Sequence, residues 1–298
     1  MQASDLGGEE GLEGFKAPTK IALVDCDTIV YAAASVCEYA DDILSKEMYS
    51  YDEWDEIVSN PNYDAKESCI WCVDSERALK LCHDRIQNII EATDTASAEL
   101  YFTTGRNFRY TVDPMYKANR TSTRYPPGMK AIKEELLKVY PGEICEEIEA
   151  DDAVVYLKRT QPKKYVLCAV DKDVYKSVPG KHYNYYYSAK YKINPKWVVT
   201  ELHDANAFCY HQVLEGDSTD NIKGCPGIGP KKAIAALANC HTDFDRWVAV
   251  VRLFKKKGLT VKDAIRDMRL VNMHQVTCDE NNKWTWEPWL PPLPQGEE

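Results

Sequence analysis

Tyr165-Val-Leu-Cys-Ala-Val170 runs without a polar break into Asp171-Lys-Asp173, and this junction decides the fold. So short and uniformly apolar a run suits a strand buried on both faces, as in the middle of a parallel sheet. Working outward, Lys20-Ile-Ala-Leu-Val24 followed by Asp25-Cys-Asp27 repeats the pattern, and Ala98 to Phe102 reads as a further short strand. Helical segments fall between them. One continues from Asp27 through Ser35, one runs from a cap at Asp74-Ser75 to about Ala92, and one puts Ile132, Leu136 and Leu137 on a single face before Pro141-Gly142. Another opens at Glu149 and buries Val154, Val155 and Leu157. This alternation predicts an α/β chain with a largely parallel central sheet flanked by helices. In such sheets ligands bind beyond the carboxyl ends of the strands, the edge where Asp25 and Asp171 both fall.

With 298 residues and 44% hydrophobic content, the chain can bury one substantial core and a smaller second one. The expected division is a flexible leader (1–16), an α/β domain (17–202) with a basic arch (105–128), a mostly helical subdomain (203–282) and an extended Trp/Pro-rich tail (283–298). Tyr49 to Cys72 reads as irregular and aromatic, and Tyr183 to Tyr191 as Tyr-rich strand and loop. No apolar run approaches the roughly 20 residues that span a bilayer, so a soluble, cytoplasmic protein with no membrane partner is expected. The eleven cysteines, an odd number, suit reduced thiols better than a secreted disulfide framework. Cys69-Ile-Trp-Cys72 with Cys82-His83 has some likeness to a zinc site, but it is set in an apolar run without a second pair, and buried thiols are the better reading.

The carboxylates carry the chemistry. Asp25 and the Asp171/Asp173 pair follow strands, Glu149, Asp151 and Asp152 open a helix, and Asp217 and Asp220 share a loop. Any one of them alone reads as a helix cap or a solvated charge. Together on one edge they would repel one another, and hard cations resolve that repulsion: an all-oxygen set suits magnesium or manganese. Two such ions can activate a water and stabilise the leaving oxygen of a phosphodiester. These eight acids account for most of the net charge of −10, so the acidity does not exclude a polyanionic partner.

Two segments complement them. Gly105 to Gly128 is the most basic stretch, with Arg106, Arg109, Lys117, Arg120 and Arg124 set among Phe108, Tyr110, Tyr116 and Tyr125. Cations that hold phosphates, interleaved with rings on which bases stack, suit a single strand or frayed end. Gly224-Cys-Pro-Gly227-Ile-Gly229-Pro-Lys231-Lys232 permits a tight turn whose amides approach phosphate, with Ile228 as its anchor. No strand precedes it, which argues against a dinucleotide fold, and it lacks the ending of a nucleotide-binding P-loop. Lys255-Lys-Lys257 is either a solvated helix end or a distal duplex contact.

Through Tyr116-Lys-Ala-Asn-Arg120, Glu149-Ala-Asp-Asp152, Asp171-Lys-Asp173 and Gly216-Asp-Ser-Thr-Asp-Asn-Ile-Lys-Gly-Cys-Pro-Gly-Ile-Gly-Pro-Lys-Lys232, the chain resembles the 5′ nuclease or flap endonuclease superfamily from about Ile21 to Ala238. Phage 5′–3′ exonucleases and the 5′ nuclease domain of bacterial DNA polymerase I are the nearest branches. The resemblance implies a PIN-like 5′ nuclease fold with a helix–three-turn–helix over 216–238 that holds duplex, and often a potassium ion. It implies Asp25, Glu149 and Asp151, with Asp152 close by, around a first metal, and Asp171, Asp173, Asp217 and Asp220 around a second. Lys117 and Arg120 match the arch residues at the scissile phosphate. Arg106, Arg109, Tyr116 and Arg124, with Gly224, Gly227, Gly229, Lys231 and Lys232, are the expected DNA contacts.

One departure concerns Thr104, which stands where many relatives place a metal-binding Asp. A hydroxyl is a weaker magnesium ligand than a carboxylate, and Asp27 reads equally as a substitute or as a helix cap. The implied activity is metal-dependent 5′–3′ exonuclease or flap endonuclease cutting of DNA at 5′ ends, flaps or nicks, extending to RNA in RNA–DNA hybrids, by a monomer of bacterial or phage-infected cytoplasm. The rival readings are a weakened nuclease that only binds branched DNA and a PIN-class RNase.

Overall fold

The structure is a computed structural model that describes residues 19–43, 46–120 and 124–294; the expected leader and the last four residues of the tail lie outside them. The first described element is β1 (Ile21–Asp25), whose Ala22, Leu23 and Val24 are fully buried in the centre of the sheet, and it turns directly into α1 (Asp27–Val36). A small excursion follows: β2 (Glu38–Asp42), α2 (Tyr51–Ser59), β3 (Tyr63–Asp64) and β4 (Cys69–Val73). The main fold resumes with α3 (Ser75–Thr93), capped by the Asp74 carboxylate, then β5 (Ser97–Asn107), α4 (Arg109–Val112), α5 (Met129–Leu137) and β6 (Gly142–Glu147). After these come α6 (Ala150–Thr160), β7 (Tyr165–Cys168), α7 (Lys172–Lys176), β8 (Gly180–Asn184) and β9 (Lys196–Thr200).

Six strands form the central sheet in the order β6-β5-β1-β7-β8-β9, every neighbouring pair parallel except β8 with β9. The chain builds from β1 outward through β5 to β6, then crosses back to place β7 on the other side of β1. The crossing leaves a topological switch point between the carboxyl ends of β1 and β7, where an open parallel sheet has its natural crevice. One face is covered by α1, α3 and α5 around Val30, Ile86, Phe102 and Leu136. The other is covered by α6 around Val154, Val155 and Leu167. The sheet and its covering helices confirm the expected fold class.

Two expectations need correction. The stretch 49–72 is not irregular: β2, β4 and β3 form an antiparallel sheet, and Ser50 and Glu53 make a reciprocal capping box at the start of α2. β2 is largely exposed and β3 only two residues long, so neither leaves a buried apolar run in sequence, and the apolar run of β4 stands without visible partners. The tail is packed as far as Trp289, while beyond it Leu290 and Leu293 are exposed on chain without regular structure. β10 (Val276–Cys278) and β11 (Trp284–Trp286) pair as a hairpin, Trp286 stacks on Phe108 at 4.6 Å, and Trp289 meets Trp247 edge-on at 4.9 Å.

The helical part consists of α8 (Leu202–Glu215), α9 (Pro230–Leu237), α10 (Asp243–Lys256) and α11 (Val261–Val271), gathered around Leu214, Val250, Phe254 and Met268. Tyr116 of the arch is buried in the same cluster, so the two parts meet at the arch base. Cys69 and Cys72 lie three apart on β4, all eleven cysteines are free thiols, and no zinc geometry appears among the described residues. Nor is any described helix long and apolar enough to cross a membrane.

Candidate active site

The acids assemble along the switch point. Asp25 is the last residue of β1 and buried, Glu149 caps α6 and is buried, Asp151 lies in the first turn of α6, and Asp171 caps α7 with Asp173 in its first turn. The loop between α8 and α9 brings Asp217 and Asp220 to the same edge. Their mutual fields trace one continuous line of charge: Asp217 acts on Asp173, Asp171 on Asp173, Asp25 and Asp151, Asp25 on Asp151, and Glu149 on both Asp151 and Asp220. The predicted set is thus brought together, with one exception.

That exception is Asp152. Its oxygens take both terminal nitrogens of Arg109 at 2.7 Å, and one also accepts from the Glu149 backbone N–H at 3.0 Å. Asp152 is fully buried and Arg109 is 2% exposed, so this is an internal ion pair. Asp152 is committed to Arg109, and Arg109 cannot reach DNA as the sequence reading expected. The reason is local: Asn107 accepts from the Arg109 backbone N–H at 2.9 Å and turns the chain inward, where the guanidinium also donates from Nε to the Leu270 carbonyl at 2.7 Å.

Tyr116 is corrected in the same way. It is 2% exposed, so no base can stack on it, and its hydroxyl lies 3.1 Å from Glu149 and 2.8 Å from Asp220. Tyr116 bridges the Glu149 and Asp220 carboxylates. Lys117 Nζ sits 2.5 Å from Glu149 and 3.8 Å from Asp220, and Arg120 donates to Asp220 at 2.6 Å. Backbone and amide bonds fasten the same segment: Lys117 N–H donates to the Asp220 carbonyl at 3.0 Å, Asn119 to that of Ser218 at 2.6 Å, and Asn221 to that of Met115 at 2.7 Å. Sequence reasoning singled out the cations of this segment and missed the two asparagines, whose pairing depends on elements about a hundred residues apart.

The electrostatics divide the acids. Burial pushes the Glu149 carboxyl up, but Arg109 and Lys117 outweigh it and hold it below the usual carboxylate range. At Asp25, burial and then the charges of Asp27 and Asp171 raise the pKa to about 7. Asp173 also rises to about 7, through burial and then Asp171. Asp151 is pushed well up by burial, Asp25 and Glu149. No cation lies within ion-pair distance of these three among the described residues, and the buried Oδ1 of Asp173 has no hydrogen-bond partner. An orphaned buried oxygen amid crowded carboxylates fits a hard divalent cation. As the side chains stand, no group of three His, Cys, Asp or Glu is arranged to enclose an ion among the described residues; the acids are instead held by arch cations or repelled by one another.

The Thr104 hydroxyl donates to the Cys145 carbonyl on β6 at 2.9 Å, and as a neutral oxygen it brings no charge to such an ion. Asp27 is also engaged, accepting from Lys133 Nζ at 2.6 Å and from the Thr103 N–H at 2.9 Å. That ion pair makes Asp27 a structural acid rather than a spare ligand. Arg106 and Arg124 remain exposed, Arg106 over Tyr110, and Arg124 between Trp71 and Glu38. Gly224 corrects another expectation: it is buried at φ +62°, and an added Cβ would lie 2.4 Å from the Gly216 nitrogen. Buried there, it does not present its amide to solvent for a phosphate to meet. Gly227 and Gly229, with Lys231 and Lys232 at the start of α9, are exposed, Lys232 donating from Nζ to the Gly227 carbonyl at 2.8 Å.

No family model matches the chain. An exodeoxyribonuclease of Enterobacteria phage T3 is 28% identical over 219 residues, covering 69% of this chain and 70% of that protein. The thermostable DNA polymerase I of Thermus aquaticus is 29% identical over 175 residues, covering 56% of this chain but only 20% of the polymerase. Among solved structures, the bacteriophage T5 flap endonuclease in a complex with DNA and metal ions superimposes with a TM-score of 0.51 at 19% identity, covering 65% of this chain and 80% of that one. That likeness bears on the fold.

Proposed function

We propose that this chain, which belongs to the 5′ nuclease and flap endonuclease superfamily, is a divalent-metal-dependent nuclease that hydrolyses DNA phosphodiesters near 5′ ends, as an exonuclease or a flap endonuclease. One observation carries the reading: a line of mutually repelling, uncompensated carboxylates at the switch point lies directly beside Lys117 and Arg120. A fold does not keep such a cluster for stability, since each raised carboxyl works against folding when ionised.

Asp25, Asp151, Asp171, Asp173 and Asp217 would hold the cations, and Glu149 and Asp220 would join them once released from the arch. Magnesium or manganese bound there would supply the charge that activates water and offsets the phosphodiester. The protein's own groups do the positioning. Lys117 and Arg120, 18% and 37% exposed, stand ready to leave Glu149 and Asp220 for the oxygens of an incoming phosphate. Asp152 and Arg109 keep α6 and the arch base in register beneath them. The exposed Gly227 to Lys232 turn, with the rest of the 203–282 helical part, forms the surface for the duplex, and a potassium ion at its backbone carbonyls belongs to the same proposal.

The test uses end-labelled 5′-flap, nicked and single-stranded DNA, with and without magnesium. Cleavage that needs both the metal and a 5′ end is expected, and the product lengths distinguish exonucleolytic from flap cutting. Retained DNA binding with no cleavage at any divalent metal would overturn the reading in favour of a pure binding protein.

A further inference from the structure

The Tyr-rich segment after β7 remains unassigned. Between Asp173 and Glu201 the chain has no acidic residue but five lysines, Lys176, Lys181, Lys190, Lys192 and Lys196, in a protein whose net charge is −10. The same stretch carries Tyr183, Tyr185, Tyr186, Tyr187 and Tyr191. β8 runs parallel to β7, so the segment leaves the sheet at the carboxyl edge, where the acids are.

Tyr185 fixes that exit. It is buried, its hydroxyl donates to the Asp25 carbonyl at 2.5 Å and lies 3.1 Å from the Thr28 hydroxyl, and Arg85 donates to its carbonyl at 2.6 Å. Beyond this anchor the chain makes a small hairpin closed by the Ser188–Ile193 bridge. On it Tyr186, Tyr187 and Tyr191 are 38%, 54% and 64% exposed. Lys190 and Lys192 are exposed between and beside them, Lys190 with its ammonium 5.3 Å from the Tyr191 ring. Clustered exposed rings cost a soluble surface and mark a contact site. Rings beside lysines, on a segment that carries no acid of its own, suit a ligand with both flat faces and negative charge, which unpaired nucleotides supply.

We infer that the Tyr186–Tyr191 hairpin is a stacking platform for unpaired DNA bases at the rim of the acid site, with Lys190 and Lys192 holding the adjoining phosphates. This rests on the nuclease reading for the identity of the strand, but not on catalysis. The platform is tied through Tyr185 to the backbone of Asp25, so a base stacked on it is held in a fixed relation to the carboxylates.

The experiment measures binding in EDTA, where hydrolysis is blocked, to a duplex with a 5′ single-stranded tail carrying 2-aminopurine and to the same duplex without a tail. Replacing Tyr186, Tyr187 and Tyr191 together by Ala is expected to weaken binding of the tailed DNA by roughly tenfold or more and abolish the quenching of 2-aminopurine. Blunt duplex binding should stay within about twofold, and the triple Phe variant should behave as wild type, since the ring and not the hydroxyl is used. Unchanged affinity and quenching in the Ala variant would overturn the platform, as would an equal loss for both DNAs or a Phe variant as weak as the Ala one. A wild-type protein that binds the tail through these rings yet never cleaves would refute the nuclease reading and leave the platform standing.

Discussion

The acid line has two ends that the fold treats in opposite ways. At one end Glu149 and Asp220 are met by Lys117, Arg120 and the Tyr116 hydroxyl, with the internal Asp152–Arg109 pair behind them, and the Glu149 carboxyl is held below its usual range. At the other end Asp25, Asp151 and Asp173 crowd together, and their carboxyls rise. The first end is satisfied by the chain itself; the second calls for charge from outside. Under the proposed function, metal dependence would belong to the uncompensated end, while the compensated end would hold a reserve of cations for a phosphate to draw on.

The comparison can be broken at either end. The largest effect is expected from Asp171→Asn, which removes a charge shared by Asp25, Asp151 and Asp173: cleavage should fall on the order of a thousandfold or more with DNA affinity nearly unchanged. Full magnesium-dependent activity in this variant would remove the uncompensated end from catalysis. Arg109→Met acts at the opposite end by breaking a buried ion pair, and should lower unfolding free energy by about 3–5 kcal/mol in denaturant melts. If it instead weakened DNA binding in a fully stable protein, Arg109 would be a surface contact after all.

Lys117→Ala should reduce kcat by about a hundredfold while KM changes little, because its ammonium is used most as charge develops on the phosphate. A change confined to KM would make it a docking residue only. The smallest effect is expected from Asn119→Ala. Losing its bond to Ser218 frees the arch base from the Asp217–Asp220 loop, so amide exchange at 115–120 should rise and cleavage should slow by about tenfold. In a Lys117→Ala background the same change should add almost nothing, since Asn119 acts through the placement of that lysine.

The parallel sheet was legible because its central strands are short apolar runs ending in acids, a pattern that burial on both faces imposes on sequence. In the small sheet, the exposed β2 and the two-residue β3 leave no such mark beside β4. The acids themselves were legible by type and position, but their states were not. Arg109 and Tyr116 lie in a stretch that reads as a solvent-facing basic arch; only the fold shows them turned inward to Asp152, Glu149 and Asp220. Gly224 reads as a phosphate-binding glycine until the Gly216 backbone is found against it. Sequence alone determined that carboxylates would meet at the ends of β1 and β7, because strand burial and chain direction fix where those residues emerge. Which of them would be neutralised by a cation, and which left needing one, was decided by contacts between residues far apart in the chain, and so only by the tertiary structure.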